Sequence, residues 1–268
     1  MEDVLQKRDS RVTGNQQWMS QLCEELWDIP LYNLSIPGSH DTMTYCLDKL
    51  SPVDPTSPKL LLFLEKYVPR ITRSVILRWT TTQTLNVTEQ LDAGIRYLDL
   101  RIAHRPDVSS DLYFVHCLYT SQTVEEQPTL RNLWGKKYQL IVCYDNPLAL
   151  MFDYLWPSMP YWWANTTKTR SLIHFLEMKK HIGRPDGFFV AGLNLTENTS
   201  YILKHPFGSM KRMTLPKLKF LYKWVQKQHP GVSRDATNII AEDLIGSDHF
   251  VSAVIKLNMK LLDRTDIL

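Results

Sequence analysis

Leu34-Ser35-Ile36-Pro37-Gly38-Ser39-His40-Asp41 sets the reading of the whole chain. Its first residues are apolar or small, as at the end of a short strand. Pro37 and Gly38 then break that strand. A hydroxyl, an imidazole and a carboxylate follow on the turn. Reactive groups on a loop just past a strand end are how α/β barrels and open α/β sheets carry their chemistry. An imidazole titrates near neutral pH, so a His fixed there can move protons. The competing reading makes His40 and Asp41 mere caps of a following helix. The partners that the rest of the chain offers His40 argue for chemistry.

The chain's 268 residues suffice for one large α/β domain or two small ones. With 44% hydrophobic and 11% aromatic residues it can bury a sizeable core and is not a disordered chain. A net charge of +3 without a dense Lys/Arg run gives no argument for nucleic acid. Arg70, Arg73 and Arg78 interleave with Ile71, Val75, Ile76, Leu77 and Trp79. That mix suits either an anionic membrane surface or an ordinary amphipathic helix with snorkelling arginines.

Cys23, Cys46, Cys117 and Cys143 are widely spaced with no CxxC pair. This fits a reducing compartment and argues against a disulfide framework or zinc knuckle. The polar N-terminus is not a signal peptide. No apolar run reaches about 18 residues, so no transmembrane segment is expected. The expectation is a cytoplasmic protein, with residues 1–16 as a flexible tail and 17–268 as a single domain.

Residues 18–27 carry Trp18, Leu22 and Leu26 at helical spacing and predict a short helix. Residues 59–79 predict two helical pieces broken at Pro69, and 84–94 a helix ended by Gly94. Residues 95–103 predict a strand with Tyr97, Asp99 and Arg101 on one face and Leu98, Leu100 and Ile102 on the other. An Asp and an Arg pointing inward together are costly unless paired or used on a ligand. Residues 112–116 predict a strand ending in His116. Further strands are expected at 138–144, 187–192 and 238–243, with helices at 169–180 and 217–228. Trp156, Tyr161, Trp162 and Trp163 read as a proline-marked loop, either a lipid or sugar platform or aromatic packing. Alternating strands and helices imply a mostly parallel sheet. In a closed barrel the first and last strands are neighbours, which brings Asp243 within reach of His40.

These groups suit a phosphodiester. One His takes a proton from an attacking hydroxyl, and the other gives one to the leaving oxygen. A carboxylate on the far nitrogen of the first His fixes its tautomer. A cation offsets charge growing on the phosphoryl oxygens. His40, His116, Asp243 and Arg101 fill the four roles. The same His and Asp residues could hold a metal for a glycerophosphodiesterase-like reaction, but Arg101 would repel a divalent ion, so no metal or other cofactor is expected.

The segments 34–41, 94–101 (Gly-Ile-Arg-Tyr-Leu-Asp-Leu-Arg) and 114–116 (Phe-Val-His) resemble the X domain of phosphatidylinositol-specific phospholipases C. The match is nearest to the small X-domain-containing proteins. It extends to Pro160-Tyr-Trp-Trp, residues 190–197 and residues 238–246. The resemblance implies a TIM-like barrel and a phosphatidylinositol-type phospholipid substrate at a peripheral membrane surface. It implies attack by the inositol 2-hydroxyl, with diacylglycerol and a cyclic inositol phosphate as products. By family pattern His40 is the general base and His116 the general acid. Asp243 holds His40, Asp41 assists the acid step, Arg101 stabilises the phosphorane-like state and Asp99 anchors the site. Calcium-dependent members carry an acidic ligand at the position matching Arg101, so no calcium requirement is expected here.

One departure is serious. The chain jumps across residues 124–127, where the family carries at least one more αβ unit of roughly 30 residues. The expectation is an incomplete barrel, as from alternative splicing. The second functional reading is therefore a shortened, catalytically impaired form that at most binds lipid or partners.

Overall fold

The computed structural model describes residues 14–49, 53, 59–104, 112–114, 130–135, 141, 143–145, 151 and 155–263. Nine strands run in chain order among them: β1 (Ile36–Ser39), β2 (Tyr97–Leu98), β3 (Ile102–His104), β4 (Leu112–Phe114), β5 (Cys143–Tyr144), β6 (Trp156–Pro157), β7 (Tyr161–Trp162), β8 (Val190–Gly192) and β9 (Ile239–Glu242). The helices are α1 (Lys59–Tyr67), α2 (Pro69–Thr80), α3 (Val87–Ala93), α4 (Leu130–Gly135), α5 (Thr169–Ile182), α6 (Thr199–Lys204), α7 (Met210–Thr214), α8 (Leu218–Val225) and α9 (Phe250–Leu257). Among the described residues no helix is long and apolar enough to cross a membrane.

Five strands form one parallel sheet in the order β2-β1-β9-β8-β7. The first and last strands lie side by side, with Ile36 opposite Ile239 and Ser39 opposite Glu242. Alternation of side chains then builds two layers. Ile36, Val190, Ile239 and Ala241 turn to an inner cluster that also holds Trp18, Leu22, Leu26, Leu31 and Leu34. Trp162, Ala191 and Ile240 turn outward to Leu172 and Leu176 of α5, Leu221 and Trp224 of α8, and Phe250 and Val254 of α9. This is the layering of an α/β barrel, and among the described residues its main sheet is open at β2 and β7.

Several sequence expectations are corrected. Pro37 and Gly38 do not end the first strand but lie inside β1. The amides of Ile36 and His40 donate toward β9, so the N–H that Pro37 lacks would face the β2 side, just before β2 begins. No rung of the sheet is lost. A Cβ at Gly38 would come within 2.7 Å of the Tyr97 ring, which is why the smallest residue sits there. Residues 18–27 form turns and a 3-10 helix at Glu24–Leu26, not an α-helix. Trp18, Leu22 and Leu26 are buried as expected, but tighter i→i+3 bonds present them.

The strand expected over 95–103 divides into β2 and β3, and β3 pairs antiparallel with β4 away from the main sheet. The expected aromatic loop contains strands instead: β6 pairs with β5, and β7 joins the main sheet. Burying Trp162 against Phe189 supplies the reason, with ring centroids 4.6 Å apart. Of 138–144 only Cys143–Tyr144 is a strand, and most of the rest lies outside the described residues. The 124–127 junction lies outside them too. The break at Pro69 holds, with the proline in the first turn of α2. The stop at Gly94 also holds, at φ +107°. An Asn86–Glu89 capping box starts α3.

Candidate active site

His40 and Asp243 leave the C-terminal ends of neighbouring strands on the inner face. Ser39 of β1 pairs with Glu242 of β9, so the next residues, His40 and Asp243, emerge abreast. His40 Nδ1 lies 2.8 Å from Asp243 Oδ1. With the carboxylate accepting, that nitrogen carries the proton. Asp243 is fully buried, and its Oδ2 has no hydrogen-bond partner among the described residues. Burial alone would lower the His40 pKa. Asp243 and Asp41 outweigh burial and raise the pKa to about 9. At neutral pH the ring is an imidazolium.

Asp41 follows in the left-handed region at φ +46°. A non-glycine residue there is costly and persists where the surroundings fix it. Its N–H donates to Asp99 Oδ2 at 3.3 Å, and its carbonyl accepts from the Thr44 hydroxyl at 2.9 Å. This turn carries Asp41 Oδ2 to 3.5 Å from His40 Nε2. Burial raises the Asp41 carboxyl, against the opposing pull of His40 and Arg101.

Asp99 and Arg101 extend from β2. Arg101 grips Asp99 with two bonds, Nε to Oδ1 at 3.2 Å and a terminal nitrogen to Oδ2 at 3.1 Å. Its Nε also lies 3.0 Å from Asp41 Oδ1. Burial would lower the guanidinium pKa, but Asp99 and Asp41 hold it above its usual value. His40, Asp41 and Asp99 present ligand atoms within 4.8 Å of one another, a set that suits a divalent cation. Arg101 already engages both carboxylates, so such an ion would compete with the guanidinium for the same oxygens.

Of the residues singled out in the sequence, His40, Asp41, Asp99, Arg101 and Asp243 thus converge. His116 lies outside the described residues. Three neighbours went unnoticed in the sequence as site residues. Tyr161 on β7 places its ring centroid 6.4 Å from that of His40 and donates its hydroxyl to Asn194 Oδ1 at 3.1 Å. Burial pushes the Tyr161 phenol well above its ordinary pKa. Burial also raises Glu197, which feels the charges of Asp243, Asp41 and His40. Asn194, just past the end of β8, obeys the strand-end logic that picked out His40 and could have been found by it. A Cβ at Gly192 would fall 2.4 Å from both Asn194 and Tyr161, so that glycine makes room for the pair.

No family model matches the chain. Curated relatives do. The human PI-PLC X domain-containing protein 1 is 47% identical over 303 residues, covering 93% of this chain and 94% of that protein. The mouse protein of the same name is 46% identical over 299 residues, covering 91% of this chain and 87% of its own. A zebrafish (Danio rerio) PI-PLC X domain-containing protein 3 is 33% identical, covering 93% and 95%. The 303-residue alignment exceeds the 268 residues of this chain by 35, so at least that many positions of the human protein have no counterpart here. Among solved structures, the phosphatidylinositol-specific phospholipase C from Listeria monocytogenes superposes with a TM-score of 0.54 at 18% identity, covering 91% of this chain and 98% of that one. A variant of the Staphylococcus aureus enzyme gives 0.51 at 16% identity, covering 92% and 98%. These likenesses establish the fold, an α/β barrel of the TIM type.

Proposed function

The chain belongs to the PI-PLC X domain-containing proteins, and on that premise we propose that it is a calcium-independent phosphodiesterase acting on phosphatidylinositol-type phospholipids. The observation that carries this reading is the His40–Asp243 contact of 2.8 Å, with Arg101 bound to Asp41 and Asp99 beside it.

In its basic form His40 takes the proton of the inositol 2-hydroxyl as that oxygen attacks phosphorus. His116 gives a proton to the departing diacylglycerol oxygen, leaving a cyclic inositol phosphate for water to open. Asp243 holds the His40 ring by Nδ1 and stabilises the imidazolium that forms. Arg101 offsets the charge growing on the phosphoryl oxygens, and Asp99 holds Arg101 in place. Asp41, whose carboxyl pKa is raised by burial, assists the acid step.

The lipid surface is met by α1 and α2. Phe63, Tyr67 and Ile71 stand 58%, 62% and 66% exposed beside exposed Lys66 and Arg70. Glu65, the sole acidic residue of the two helices, is paired with Arg73. Exposed aromatic and aliphatic groups beside exposed cations suit an anionic bilayer face.

The test is turnover of phosphatidylinositol vesicles with a chelator present. Hydrolysis is expected, and its loss on chelation would overturn the calcium-free mechanism. A second reading is favoured by the 35 or more unmatched positions of the human relative: a shortened, impaired form that binds lipid without turning it over. Inserting the relative's extra segment then switches activity on, whereas equal activity with and without the insert removes this reading.

A further inference from the structure

Gln83 lies three residues past the end of α2 and is fully buried. Its whole amide is engaged on backbone next to the His40–Asp243 pair. Nε2 donates to the carbonyl of His40 at 2.9 Å and to that of Glu242 at 3.0 Å. Oε1 accepts from the amide of Ile245 at 3.1 Å. These anchors belong to the end of β1, the end of β9 and the turn that follows Asp243.

The placement matters because the β1–β9 ladder stops here. Its last paired residues are Ser39 and Glu242, and the His40 amide makes a final bond to the Glu242 carbonyl at 3.2 Å. Beyond that point no main-chain rung among the described residues keeps His40 and Asp243 abreast. Two carbonyls drawn to one place repel each other unless a donor lies between them, and the Gln83 NH2 group is that donor. The turn after Asp243 is sharp, with Leu244 at φ +58°. It is held from the same segment, since the Leu244 amide donates to the Thr82 carbonyl at 2.8 Å.

We infer that Gln83 is a positioning residue, which fixes the His40 ring against the Asp243 carboxylate by clamping the ends of β1 and β9 together. The inference rests on the phosphodiesterase reading for its rate measurement alone.

The test replaces Gln83 and follows the His40 imidazole by NMR titration together with turnover. The groups facing that ring, Asp41, Asp99, Arg101, Asp243, Tyr161 and Glu197, stay unchanged in the variants. Gln83→Met keeps bulk and removes both kinds of bond. The pair loosens, so the His40 pKa falls by about one unit or more toward 6.5. Turnover falls about 10²-fold with KM little changed, as for a small misplacement of a reacting group. Gln83→Glu, neutral in its buried place, keeps one donor and one acceptor and falls between the two. A folded Gln83→Met whose His40 titrates as in the unaltered protein overturns the inference. So does failure of both variants to fold, which would make Gln83 a staple of the barrel alone. Should the unaltered chain turn over no lipid, the phosphodiesterase reading fails while the titration still decides the role of Gln83.

Discussion

The His40 imidazole and the Asp243 carboxylate meet at 2.8 Å across 203 positions of chain. The register of β1 on β9 brings their two strand ends side by side, and the attraction across the pair raises the His40 pKa.

Asp243→Asn removes the charge and leaves the shape. The His40 pKa should fall well below 9, because burial then acts against a weaker opposition. An amide can also hold the wrong tautomer of the ring, so turnover should drop on the order of 10³–10⁴-fold. An NMR titration of the imidazole and a vesicle assay read the two effects separately, and an unmoved pKa contradicts the electrostatic account.

The same pair makes stability depend on pH. The folded His40 pKa of about 9 lies above the value near 6.5 of a free imidazole. Its contribution is therefore fully present below about pH 6.5 and is lost as pH rises through about 9, on the order of 3 kcal/mol. Urea melts at pH 6.5 and 9.5 should differ accordingly, and His40→Gln should flatten the difference. Catalysis runs the other way for this residue, since a base must shed its proton first: the limb of the kcat/KM profile that His40 controls should rise over the same interval, and His40→Gln should remove that limb.

Arg101→Gln leaves Asp41 and Asp99 without their shared cation. Turnover should fall about 10²–10³-fold, the scale for losing one preorganised charge partner. The vacated carboxylates together with His40 should then take up a divalent ion. Calorimetric titration with calcium should give heat with the variant and none with the unaltered protein.

Phe63→Ala combined with Ile71→Ala trims the exposed face of α1 and α2. Each large side chain entering lipid contributes about 1.5–3 kcal/mol. Binding to anionic vesicles should weaken at least about 10-fold, with turnover of a water-soluble inositol phosphodiester unchanged. Equal loss on the soluble substrate would place the defect in the site.

Much of this was legible in the sequence, for identifiable reasons. The strand-end positions of His40 and Asp243, with the rule that first and last barrel strands adjoin, point to their contact. Period-two alternation led to Asp99 and Arg101 on one face. The strand through Pro37 was missed because a proline is read as a breaker, whereas its missing N–H here faces the edge where β2 has not begun. The helix over 18–27 was overread because i, i+4 burial also arises from consecutive tight turns. Tyr161 was seen only as one aromatic among four, since nothing local says which strand will lie beside β8. Gln83 gave no periodic signal, because its partners are carbonyls and an amide supplied by distant strand ends.

The seam between β1 and β9 has a consequence for biosynthesis. His40 leaves the ribosome early, and its partner carboxylate is translated 203 codons later. At about 5–20 residues per second that gap lasts roughly 10–40 s. Throughout it no pairing exists to organise the nascent imidazole, so a product terminated before codon 243 lacks the contact on which the proposed chemistry rests.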